Sequence, residues 1–138
     1  MRKYLFLSLL FGLQTLLSAV NPSSFEDVWK ALEEQDRLTA RKLLEKKLKN
    51  SETLVNATAT LMLLNSLESR PDENLDLMKA AFPKMKNPSE YLFSLWKDKG
   101  VTSGYTKKEK AQEEFMYQMI ADERVNGSIK GSAKYLLG

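Results

Sequence analysis

Ser23-Ser24-Phe25-Glu26-Asp27-Val28-Trp29-Lys30-Ala31-Leu32, followed after a short link by Asp36-Arg37-Leu38-Thr39-Ala40-Arg41-Lys42-Leu43-Leu44-Glu45-Lys46-Lys47-Leu48, is the stretch from which the fold is read. In its first half Phe25, Val28, Trp29 and Leu32 recur at i, i+3, i+4 and i+7, the spacing that lines one face of an α-helix. Ser23 and Glu26 stand at capping-box spacing and predict where that helix starts. In the second half Ala40, Leu43, Leu44 and Leu48 form one apolar stripe, while Arg41, Lys42, Glu45 and Lys46 fall mostly outside it. Asp36 is the expected N-cap, and the short link makes the two helices an antiparallel hairpin.

The same signals continue downstream. Leu54, Ala57, Leu61 and Leu64 mark a helix from about Glu52 to Glu68, and Arg70-Pro71-Asp72 breaks it before Leu75, Met78 and Phe82 mark another. Asn87-Pro88-Ser89-Glu90 predicts a helix start with Asn87 as cap and proline at the first helical position. The helix it opens, Tyr91-Leu92-Phe93-Ser94-Leu95-Trp96, is apolar nearly all round and is expected to be buried between neighbours. Thr106 and Glu109 form another capping box, and Ala111, Phe115 and Met119 with Met116 and Ile120 give that helix a wide apolar face. Asn126-Gly127 is expected to stop it, and Ser128 to cap a last helix carrying Ala133, Tyr135, Leu136 and Leu137. The expected class is all-α: antiparallel helical hairpins stacked as a short tetratricopeptide-like solenoid. Leu136 and Leu137 would need a cover, so the domain from residue 20 to residue 138 is expected to be incomplete at its C-terminal end.

At the other end, Arg2-Lys3 precedes Tyr4-Leu5-Phe6-Leu7-Ser8-Leu9-Leu10-Phe11, and the segment closes on Leu17-Ser18-Ala19. A basic start, a short apolar run and a small-residue end are the three parts of a secretory signal peptide. Residues 1–19 are read as that peptide, cleaved after Ala19, with an apolar part too short for a lasting membrane anchor. The expected location is the periplasm or the extracellular space. The net charge of the 138-residue chain is +3, but Arg2 and Lys3 leave with the peptide, so charge gives no argument for a nucleic-acid partner.

The chain has neither histidine nor cysteine. Within it that excludes Ser-His-Asp and Cys-His nucleophiles, imidazole or thiolate zinc sites and disulfides. The acidic pairs Glu33-Glu34, Asp72-Glu73, Glu113-Glu114 and Asp122-Glu123 are adjacent, and neighbours on a helix diverge by about 100° rather than converging on a substrate or metal. Gly127-Ser128-Ile129-Lys130-Gly131 lacks the spacing of a phosphate loop. No catalytic, cofactor-binding or metal-ligating residue is therefore assigned. The candidate partner-binding residues are Tyr91, Phe93, Trp96 and Tyr105, because aromatic side chains are typical interface anchors; core packing is the competing role for the first three.

The order Phe25-Glu26-Asp27-Val28-Trp29, Asn87 to Trp96, Asn126-Gly127-Ser128-Ile129-Lys130 and Ala133-Lys134-Tyr135-Leu136-Leu137-Gly138 resembles the helical N-terminal region of certain exported bacterial multidomain proteins. In that family the helices precede a domain of unknown function and a transglutaminase-like domain of papain-type fold with a Cys-His-Asp site. The resemblance implies location and architecture. It carries over no catalytic residue, since the chain has no cysteine or histidine to match. Three readings follow: a non-enzymatic exported module that binds a protein partner or a downstream domain of its own chain, the N-terminal piece of a transglutaminase-like enzyme, or a freestanding cell-envelope structural protein.

Overall fold

The computed structural model describes residues 22–70, 72–99 and 109–138. The signal-like segment, the Gly100 to Tyr105 loop with its candidate Tyr105, and the Thr106 cap lie outside them. The described residues form seven α-helices and no strand. They are α1 (Glu26–Glu33), α2 (Arg37–Lys47), α3 (Leu54–Leu67), α4 (Glu73–Ala81), α5 (Glu90–Lys99), α6 (Glu109–Ala121) and α7 (Gly127–Leu137), with 3-10 turns at Pro22–Phe25 and Phe82–Lys84. The fold is all-α, and its helices pack on near neighbours: α1 on α2, α4 on α5, and α6 and α5 on α7. The chain divides into two compact units between Thr60 and Leu61. No described helix is long and apolar enough to cross a membrane.

In the first unit, α1 begins at Glu26 with Phe25 in the cap position and no side-chain cap bond. The 3-10 turn takes up the residues where the capping box was expected, and the helix starts later than that spacing predicts. Gln35 adopts a left-handed φ of 60°, which lets the Gln35 and Asp36 amides return to Leu32 O and Ala31 O at 3.0 and 2.8 Å and close the helix. Asp36 then caps α2 as expected, its carboxylate accepting from Thr39 N–H at 3.0 Å. The pair is antiparallel, because Lys47 at the end of α2 reaches Asp27 at the start of α1 (3.3 Å) and lies over the Phe25 ring. Phe25, Val28, Trp29, Leu32, Ala40 and Leu44 are buried and form the core of this hairpin, while Leu43 and Leu48 of the expected second stripe are half-buried.

Helix α3 departs from its expected single stripe. Every residue from Asn56 to Asn65 is buried, polar ones included. Buried hydroxyls need partners, and the helix supplies them: Thr58 Oγ1 donates to Leu54 O at 2.7 Å and Thr60 Oγ1 to Asn56 O at 2.8 Å.

In the second unit, Asn65 Nδ2 donates to Asn74 Oδ1 (2.9 Å) and Asn74 Nδ2 to Met62 O (3.4 Å), which ties α4 to the end of α3. The hub of this unit is Phe115 on α6. It meets Phe82 and Trp96 edge-on, both at 5.5 Å between ring centres. Helix α5 is capped by Ser89, whose Oγ accepts from Leu92 N–H at 3.2 Å, two residues later than the Asn87 cap expected. Helix α5 is also not buried all round: Leu92, Phe93 and Trp96 are inside, while Tyr91 and Ser94 face solvent.

The start of α7 likewise differs from expectation. Asn126 is the cap, in extended backbone (ψ 167°), and its side chain accepts from Ile129 N–H at 3.0 Å. Gly127 and Ser128 are helical. Asn126 wins because a side-chain acceptor in extended conformation satisfies an orphan helix amide directly, while Ser128 sits too far inside the helix to do so. Farther along α7, Gly131 is exposed, and a Cβ there would meet nothing within 4 Å. Glycine in a helix interior costs about 0.5–1 kcal/mol relative to alanine. Gly131→Ala is therefore expected to stabilise the protein by about that amount, measured as a higher urea midpoint with an unchanged slope.

Candidate functional site

The aromatic candidates separate by depth. Phe93 and Trp96 are buried, 5.9 Å apart, and Trp96 packs on Phe115; their contacts are internal. Tyr91 is 37% exposed on the other side of the same helix, and its partial burial raises the phenol above its ordinary pKa. The sequence-predicted residues are thus not brought together on one surface: Tyr91 is at the surface, Phe93 and Trp96 are in the core, and Tyr105 lies outside the described residues.

Two surface aromatics are not among the partner-binding candidates read from the sequence. Tyr117 on α6 is 60% exposed, and Tyr135 on α7 is 85% exposed beside Leu136 at 37%. A signal for Tyr117 exists in its register, since it falls between the buried Phe115 and Met119 and so on the opposite side of α6. Tyr135 stands two residues past the buried Ala133, which carries it off the inner face in the same way.

A shallow polar cleft of about 550 Å³ lies in the first unit, with Glu26 and Asp27 on the α1 side and Lys46, Lys47, Asn50 and Thr53 on the α2 side. Its acids and lysines balance in number, and Lys47 already spans it to Asp27. Thr53 Oγ1 donates to Lys47 O at 2.7 Å, and Asn50 Oδ1 accepts from Glu52 N–H at 3.0 Å, so these groups shape the turn after α2. Among the described residues no three of Asp, Glu, His or Cys converge as metal ligands.

The strongest electrostatic arrangement joins the α6–α7 turn to the turn after α4. Arg124 donates from Nη1 to Met85 O at 2.6 Å, from Nη2 to Asp122 Oδ2 at 2.7 Å, and lies 5.1 Å from the centre of the Phe82 ring. Asp122 Oδ1 also accepts from Arg124 N–H at 2.9 Å, which folds the turn. One guanidinium thus satisfies a carbonyl, pairs with a carboxylate and covers an aromatic face, a combination that lysine's point charge does not reproduce.

No family model, curated protein or solved structure matches this chain.

The Arg124 side chain, through its hydrogen bond to Asp122, holds the Asp122 carboxyl below its ordinary pKa. A carboxyl depressed on folding contributes stability that is complete above its unfolded pKa and lost as pH falls through the folded value. Native chain and Asp122→Asn should accordingly differ most in urea stability near neutral pH. The gap is expected to close as the solution is acidified below the ordinary aspartate range.

Proposed function

We propose that this chain is an exported, non-enzymatic helical module that packs against a protein partner or a further domain of its own chain through aromatic and apolar side chains on its surface. The observation that carries the reading is Tyr135, 85% exposed beside Leu136 on α7. Tyrosine presents large contact area with little side-chain entropy to lose, and for that reason is enriched at interfaces. Tyr91 and Tyr117 add further surface aromatics. Export is supported by the order of Arg2-Lys3, the apolar run and Ser18-Ala19. Binding in this reading needs no cofactor, and neither nucleic acid nor a lasting membrane anchor takes part.

Two measurements test its two halves. Export requires that intact-mass spectrometry of the protein made in a bacterial host find a chain beginning near Val20 outside the cytoplasm. An intact Met1 in the cytosolic fraction would overturn that half.

For the interaction, a photo-crosslinking residue at position 135 is expected to give an adduct of discrete mass in the exported protein. The same probe at Leu38, also exposed at 66% but in the first unit, is expected to give none. Equal labelling at both positions, or none at 135, would show that α7 is not the contact face. Sedimentation of the purified chain separates a foreign partner from a second copy.

A further inference from the structure

Asn126-Gly127 is the single Asn-Gly bond in the chain. Glycine after asparagine leaves the following backbone nitrogen unhindered, and here a Cβ on Gly127 would meet nothing within 4 Å. Both residues are exposed. The Asn126 amide is engaged at each end: Oδ1 accepts from Ile129 N–H at 3.0 Å, and Nδ2 donates to Glu90 Oε1 at the first residue of α5. One neutral amide thus caps α7 and fastens it to the start of α5.

We propose that Asn126 is a site of spontaneous deamidation, and that the reaction converts this fastening into a like-charge contact that loosens α7 from α5. In the first step the Gly127 backbone nitrogen, having given its proton to solvent, attacks Cγ of Asn126. The new N–Cγ bond closes a five-membered succinimide, and the Cγ–Nδ2 bond breaks, Nδ2 leaving as ammonia after taking protons from water. Water then opens the ring at either carbonyl, leaving aspartate or isoaspartate. The balance is one water consumed and one ammonia released, with nothing oxidised or reduced.

The two products act on the same contacts by different routes. Aspartate keeps the acceptor for Ile129 N–H but loses the donor, and sets a second carboxylate against Glu90. Isoaspartate lengthens the backbone by one methylene and displaces the acceptor as well. Because both ends of the amide are held in the folded protein, the reaction proceeds through local openings that release them. Glu90 therefore sets its pace.

The test uses the full chain incubated at mildly alkaline pH, cut after Arg124 and Lys130, with the Val125–Lys130 peptide followed by mass spectrometry and an isoaspartate assay. Conversion is expected at Asn126, to be lost in Gly127→Ala and to run faster in Glu90→Ala. Amide exchange in α7 of the converted protein is expected to be about fivefold faster, the effect of losing one hydrogen bond between α7 and α5. Asn126→Asp should reproduce the faster exchange, and adding Glu90→Gln should reverse it by restoring a donor. The proposal is overturned if Asn126 keeps its amide while a synthetic peptide of the same sequence converts fully. It is equally overturned if conversion leaves α7 exchange unchanged.

Discussion

The second unit depends on the edge-to-face packing of Phe115 between Phe82 and Trp96. Aromatic rings have negative faces and positive edges, so perpendicular contacts add directional attraction of about 0.5–1.5 kcal/mol to the burial of large apolar area. The three residues belong to the turn after α4, to α5 and to α6, and their rings bring these elements together. Arg124 completes the arrangement by covering the Phe82 ring and holding Met85 O. One ring, Phe82, therefore takes Phe115 on one side and a guanidinium on another. The position of the α6–α7 turn follows from that.

A different constraint governs α3, where burial from Asn56 to Asn65 leaves little water for polar groups. Thr58, Thr60 and Ser66 return their hydroxyls to carbonyls one turn back, so each satisfies itself without recruiting a neighbouring helix. Asn65 and Asn74 cannot do this and pair across the α3–α4 turn instead. A buried amide pair is directional where leucine packing is not, and it fixes the register of α4 on the end of α3.

What could be read from the sequence follows the range of the forces involved. The first hairpin was legible because its periodicity, its Asp36 cap and its short link are all encoded within a few residues of where they act. Caps were misplaced where several capping residues stand in a row: Ser89 outcompetes Asn87, and Asn126 outcompetes Ser128, according to which can reach a free helix amide. The burial of α3 from Asn56 to Asn65 was hidden because Thr58, Thr60 and Asn65 lie outside the apolar stripe of Leu54, Ala57, Leu61 and Leu64, and their polar groups are satisfied by hydrogen bonds that composition does not reveal. The surface candidates failed to assemble for a related reason. Tyr91, Phe93 and Trp96 are close in sequence, but a helix turns them toward different surroundings.

That separation extends through the described residues as a rule. Every phenylalanine and tryptophan is buried, and every tyrosine, at positions 91, 117 and 135, is exposed. A phenol taken into the core must find a partner for its hydroxyl or lose that group's hydration. Tyrosine is excluded from the core on those terms. Its retention on the helix surface is not explained by helix propensity, because aromatic residues are poorer helix formers than the alanine, lysine or glutamate available at such positions. An exposed tyrosine on a helix thus carries a small folding cost. Contact with another surface is the role proposed for Tyr135, the most exposed of the three.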